Sequence, residues 1–199
     1  MTVRDAVSGD LGESRTTGPA IFVTVGTDHH PFDRVVRWAD AYAAANSEAR
    51  VVVQYGSATP PVVAVGHESL PYVEMRRQMA AADVVVTQGG PGGIMDSRAV
   101  GRLPIVIPRT AALGEHVDDH QVAFAEHMHA HGRIALATDE TTFVALIAEA
   151  VENPERFAVR DEQSPTATTV VTIEKELGEL LGRPPRSFRL RLPRPSRKR

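Results

Sequence analysis

The sequence predicts one doubly wound α/β domain built on a mainly parallel sheet, and three observations carry that expectation. Short, continuous aliphatic runs such as "AIFVTV" and "DVVVT" lack the alternation of a half-exposed sheet, so they read as strands buried on both faces. Segments with helical periodicity alternate with these runs, the order expected when helices cross over between parallel strands. Glycine and proline interrupt the chain at the ends of the runs and mark turns there.

The elements follow in order. Ala20–Val25 is the first strand, ended by Gly26. A helix is expected from Phe32 to about Asn46, with Val35, Val36, Ala39 and Tyr42 on one face and charges opposite. Arg50–Gly56 is the second strand. Beyond a turn at Pro60 and Pro61, the apolar run Val62–Gly66 follows, and then a helix over Pro71–Ala81. Asp83–Thr87 is a further strand, leading through the loop Gln88–Gly93 to a helix ending near Val100. Leu103–Pro108 is the next strand, and the loop Arg109–Val117 leads to a helix from about Asp118 to Ala130. Arg133–Thr138 is the expected last strand. Thr138 or Asp139 can cap the helix that begins at Glu140 and stops before Pro154. A final amphipathic helix is expected over about Thr168–Leu181.

Composition agrees with a single core. The 199 residues are 42% hydrophobic and 24% charged, enough to fold without cross-links. There is no cysteine, which excludes disulfides and thiolate metal sites. No apolar run approaches the roughly 20 residues that span a bilayer. Residues 1–18 are polar, lack the apolar segment of a signal peptide, and read as a disordered leader. Residues 183–199 carry eight basic and no acidic side chains; setting them aside leaves 14 basic against 25 acidic residues. A basic, proline-rich tail on an acidic body reads as a separate segment. It suits anionic lipid or an acidic partner, and equally a solvated tail without one. The expected domain is therefore 19–182.

Ligands of such sheets bind outside the carboxyl ends of the strands. That selects the loops Gly26–Pro31, Gly66–Leu70, Gln88–Gly93 and Arg109–Val117. In "TQGGPGGIMD", a strand, a glycine loop and a helix start come together, the arrangement in which backbone N–H groups and the helix dipole meet a phosphate. Glycine there permits positive φ and close approach. The loop has neither the Lys-Ser/Thr of a P-loop nor the spacing of a dinucleotide fingerprint. Asp96, about one turn into the helix, can accept from two ribose hydroxyls. A tight turn with an incidental helix-terminal aspartate fits the same pattern.

In "PRTAALGEHVDDHQ", Arg109, Glu115, His116, Asp118, Asp119, His120 and Gln121 crowd one strand end and helix start, a density that suits a polyhydroxylated ligand such as a sugar. His116 and His120 have metal-compatible spacing, but without H-E-x-x-H or D-x-D no metal is expected. Asp118 or Asp119 also suits a simple helix cap. In "VGTDHHP", Gly26 and Thr27 turn the chain beside His29 and His30, a group able to contact phosphate or acceptor, or only to form the turn. His127, His129 and His131 scatter around a solvated helix end.

Together, "FVTVGT…PFDRVV", "ADVVVTQGGPGGIMDSRAVGRLPIVIPR" and "GEHVDDHQ", in that order over roughly residues 20–150, resemble the C-terminal, donor-binding half of family 28 glycosyltransferases of the GT-B class. Among these, the resemblance is to bacterial exopolysaccharide subunits of the PssE/EpsF type. These are relatives of the catalytic subunit of the dolichol-linked N-acetylglucosaminyltransferase. The resemblance implies a Rossmann-like domain that binds a UDP-sugar as substrate, with no cofactor and no metal. It implies that Gly26, Thr27, Gln88, Gly89, Gly90, Gly92 and Gly93 line the donor diphosphate. Leu70, Tyr72 and Asp96 would meet uracil and ribose, and Arg109, Glu115, His116, His120 and Gln121 the sugar. Many relatives have His at the position of Gln88 and Glu at that of Asp96; a neutral amide gives the leaving phosphate no cationic help. The resemblance further implies a membrane-anchored partner subunit that binds a lipid-linked sugar acceptor and supplies the catalytic base, His29 and His116 being the candidates within this chain. The expected place is cytoplasmic, held to the inner face of the plasma membrane through the partner, with no nucleic acid involved. A non-catalytic activator subunit of another glycosyltransferase is the alternative.

Overall fold

The computed structural model describes residues 18–159; the leader before residue 18, the helix expected over Thr168–Leu181 and the basic tail lie outside the described residues. Six strands form the sheet: β1 Ala20–Thr24, β2 Arg50–Gln54, β3 Val65–His67, β4 Val84–Gln88, β5 Ile105–Ile107 and β6 Ala135–Leu136. Their order is β3-β2-β1-β4-β5-β6, and every neighbouring pair is parallel. The helices are α1 Asp33–Ala45, α2 Tyr72–Ala81, α3 Pro91–Ala99, α4 His120–Ala130 and α5 Glu140–Glu152.

The aliphatic strands bury both faces, as their continuity predicts. Ile21, Val23, Val51, Val53, Val84, Val86, Ile105 and Ile107 pack against Val35, Val36 and Ala39 of α1 and Phe143 and Ile147 of α5. On the opposite face, Phe22, Val52 and Val85 meet Met79 of α2. Val106 on that face meets Ile94 of α3 and Phe124, Ala125 and Met128 of α4. Because both faces are apolar, hydrophobicity alone does not set the strand register. One buried polar pair does: Thr24 Oγ1 donates to Gln54 Oε1 across β1 and β2 at 3.1 Å. A one-residue slip separates them, and a buried group left unsatisfied costs about 1–3 kcal/mol.

One local expectation changes and one open alternative resolves. The run from Val62 becomes strand only at Val65–His67, and Val62 is 90% exposed. The Asp40 carboxylate of α1 accepts from the N–H groups of Val62, Val63 and Ala64 at 3.0, 2.7 and 2.8 Å, so those donors are satisfied without a ladder. Before α5, Asp139 rather than Thr138 is the cap, its Oδ1 accepting from Thr142 N at 2.8 Å.

Candidate functional site

Parallel strands put their carboxyl ends on one edge, and the strand order reverses between β1 and β4, so a crevice opens there. Gly26 and Gln88 form its two lips. Gly26 has φ +80°, a left-handed turn that releases the chain sharply from β1. A Cβ on Gly26 would lie 3.2 Å from Gln88 Nε2, so the Gln88 side chain reaches across the switch point. Its Oε1 is buried without a hydrogen-bond partner.

The glycine segment is organised differently from a free loop. Helix α3 begins at Pro91, so Gly92 and Gly93 form its first turn and only Gln88–Gly90 precede it. Pro91 lacks an N–H and has the right φ for this position. No side chain caps this end, which leaves the first-turn N–H groups and the positive end of the helix dipole at the tip of β4. Positive φ is not what these glycines supply, since it occurs at Gly26, Gly56, Gly101, Gly114 and Gly132. Close approach is. A Cβ on Gly89 would lie 3.0 Å from Gln121 Cβ and 3.2 Å from Gln121 O. One on Gly90 would overlap the Gln88 carboxamide, and one on Gly93 would lie 3.2 Å from Thr87 Oγ1. At Gly92 it would meet nothing within 4 Å.

Beside this helix start, Tyr72 Oη donates to Asp96 Oδ1 at 2.7 Å, joining α2 to α3. Leu70, half-buried, packs on the Phe22–Met79 cluster below. The fold thus brings the uracil and ribose candidates together on one flank of the crevice.

On the other flank, two expected sugar contacts turn inward. Arg109 is fully buried, its Nη1 donating to His30 O and Glu115 O at 2.6 and 3.0 Å and its Nη2 to Val25 O at 2.8 Å. Its guanidinium lies 4.6 Å from the Phe32 ring centroid. Burial pulls the Arg109 pKa below its ordinary value, against the opposing charges of Asp28 and Glu115. Glu115, 4% exposed, accepts from Arg34 Nε and Nη2, both at 2.8 Å, and from Thr110 N at 3.1 Å. Both side chains are therefore buried braces of the loops. Gln121 is also buried: its Oε1 accepts from Arg109 N at 3.2 Å while its stem backs Gly89. Asp119 precedes α4 without capping it, and its Oδ1 accepts from Ala111 N at 2.8 Å.

His116 and His120 acquire neighbours that spacing does not suggest. His30 Nδ1 lies 2.6 Å from Asp28 Oδ1, which also accepts from His30 N at 2.8 Å. The Asp28 pKa is lowered to about 2: the backbone N–H of His30, its ring and the Arg109 charge outweigh partial burial. His116 stands between two carboxylates, Nε2 3.7 Å from Asp28 Oδ2 and Nδ1 3.5 Å from Asp118 Oδ1. Asp118 also contacts His120 Nδ1. Arg34 and Asp28 were not singled out from the sequence, and His30 and Asp118 were noted only as members of separate polar clusters. The acid–His doublets were visible, but not that the loops after β1 and β5 meet. His127 and His131 pair instead with each other at the far end of α4, ring centroids 4.3 Å apart.

Residues 20–177 match the model of the glycosyltransferase family 28 C-terminal domain. No curated protein matches the sequence. Among solved structures, the glycotransferase of kitacinnamycin aligns with TM-score 0.56 and 21% identity, over 90% of this chain and 44% of that one. The NMR structure of ALG13 aligns with TM-score 0.52 and 16% identity, over 76% of this chain and 94% of that one. The calicheamicin glycosyltransferase CalG4 aligns with TM-score 0.50 and 20% identity, over 85% and 45%. This chain thus spans less than half of the kitacinnamycin and calicheamicin proteins and nearly all of ALG13. The shared feature at these identities is the fold.

Proposed function

The chain belongs to the glycosyltransferase family 28 C-terminal domain family, and from that premise we propose that it is the donor-binding subunit of a UDP-sugar-dependent glycosyltransferase. The observation that carries this reading is the meeting of Gly26, Gln88 and the uncapped start of α3 where the strand order reverses. The diphosphate lies against Gly26, Thr27, Gln88–Gly90 and the first-turn N–H groups of Gly92 and Gly93. Asp96, oriented by Tyr72, takes the ribose hydroxyls, and Leu70 backs the uracil. His116 and His120 contact the sugar, with Gln121 holding the floor.

Attack by an acceptor hydroxyl on the anomeric carbon breaks the bond to UDP and inverts that centre. Charge growing on the departing diphosphate meets backbone N–H groups fixed in advance, so little reorganisation accompanies its formation. Gln88 adds a neutral amide dipole there. The acceptor, a lipid-linked sugar, is bound by a separate membrane-associated subunit that also supplies the base, in exopolysaccharide or related glycan synthesis. Among the described residues no helix is long and apolar enough to cross a membrane.

Calorimetric titration with UDP and UDP-sugars tests the donor site. Saturable UDP binding that Asp96→Ala weakens is the expected result; no UDP binding, or binding indifferent to Asp96→Ala, refutes it. Transfer assays with and without the product of the adjacent gene then separate a catalytic subunit from a non-catalytic activator.

A further inference from the structure

We propose that His116, Asp118 and His120 form a binding site for a divalent transition-metal cation of the zinc class, with Asp28 orienting His116 from behind. The three donor atoms lie within 4.8 Å of one another. They come from alternate residues of one backbone path, His116 and Asp118 in the bend after the turn at Ala111–Leu113 and His120 at the first position of α4. Zinc binds imidazole nitrogen at about 2.0–2.1 Å and carboxylate oxygen at about 2.0–2.2 Å, and a tetrahedral angle then separates two ligands by roughly 3.4 Å. The distance from His116 Nδ1 to Asp118 Oδ1 is 3.5 Å, whereas His120 Nδ1 contacts that same oxygen directly and would move apart from it to share an ion.

His116 supplies the independent observation. Its side chain is only 15% exposed, and its Nδ1 is buried without a hydrogen-bond partner. An orphaned imidazole nitrogen at such depth is costly, whereas coordination would satisfy it. The opposite nitrogen faces Asp28 Oδ2 at 3.7 Å. A proton on Nε2, the side turned to Asp28, would leave the Nδ1 lone pair free, the arrangement in which carboxylates stand behind metal-bound histidines. Asp28 is itself held by His30 N at 2.8 Å. Two imidazoles and one carboxylate favour zinc, cobalt or nickel over magnesium or calcium, which take oxygen ligands. His116 and His120 are also the residues proposed above to contact the sugar, so the inference bears on that part of the donor reading, while a metal titration without nucleotide tests it separately from UDP binding.

The test is titration of the untagged full-length protein with cobalt(II), read by its ligand-field absorption, and then displacement by zinc, with no nucleotide present. Saturable, roughly equimolar binding is expected. His116→Ala and His120→Ala should each abolish it, Asp28→Asn should weaken it about 10- to 100-fold, and His127→Ala should leave it unchanged. Circular dichroism of each variant checks folding. Absence of saturable binding in the natural protein overturns the proposal. So does binding that survives in folded His116→Ala and His120→Ala, or that His127→Ala removes.

Discussion

Replacing Glu115 by alanine separates a structural brace from a ligand contact. Its carboxylate accepts two Arg34 N–H bonds at 2.8 Å and one from Thr110 N, and only 4% of the residue is exposed. Removal leaves the guanidinium groups of Arg34 and Arg109 without their nearest shared counter-charge. Breaking a buried pair by deleting one partner costs about 3–5 kcal/mol. Arg34 keeps its bond to Pro108 O at 2.9 Å and its side chain is 14% exposed, so the lower end applies. A loss of about 3 kcal/mol is a large part of the roughly 5–15 kcal/mol that holds a domain folded. At about 2–4 °C per kcal/mol it lowers Tm by roughly 6–12 °C. Urea denaturation followed by circular dichroism measures it directly. Because the pair is buried, the double variant Arg34→Met/Glu115→Leu should lose less than Glu115→Ala alone. A Glu115→Ala protein within about 0.5 kcal/mol of the natural one, with donor-sugar affinity lost, would sink the reasoning and restore Glu115 as a ligand contact.

Other expectations concern the crevice and the edge of the sheet. Tyr72→Phe should weaken UDP binding by about three- to tenfold, the range of one partly exposed hydrogen bond, with the unfolding midpoint unchanged; equal affinity in calorimetry would show that Asp96 needs no orienting. Gly90→Ala should displace the Gln88 side chain and reduce UDP affinity with little effect on stability. Gly92→Ala, which meets nothing within 4 Å, should instead stabilise α3 by about 0.5–1 kcal/mol while obstructing the phosphate; thermal melts and UDP titration of both variants read the contrast. Burial disfavours the Asp40 carboxylate, but the N–H groups of Ala64, Val62 and Val63 together outweigh it and hold its pKa below the usual range. Its contribution is therefore full above the unfolded-state pKa and disappears as pH falls through the lower folded one. Asp40→Asn should lower the urea midpoint at neutral pH and flatten its fall toward acid; parallel pH profiles would contradict this.

The sheet was legible because burial on both faces demands uninterrupted aliphatic runs, and few other structures tolerate "VVV" beside "IFV". The start of α3 was less so: the sequence suggests a loop over Gln88–Gly93, whereas the helix already begins at Pro91 and takes Gly92 and Gly93 into its first turn. What the glycines do was hidden too, because positive φ and close approach leave the same letter in a sequence. Asp40 shows a further limit, since Val62–Ala64 carry good strand residues but find their acceptor on a helix. Arg109 and Glu115 show the hardest case. Charged residues are read as surface by default, and only the fold brings Arg34 to Glu115 across 81 positions and Arg109 to Val25 across 84.

Arg109 also bears on the entropy of ligand binding. Its guanidinium ties the end of β1, the His30 turn and the Glu115 bend to one planar group. Loops that close around a ligand lose conformational freedom at that moment, and affinity falls by the amount lost. Here much of that ordering already belongs to folding. The walls held by Arg109 are in place before a ligand arrives, so a docking molecule gives up mainly its own freedom.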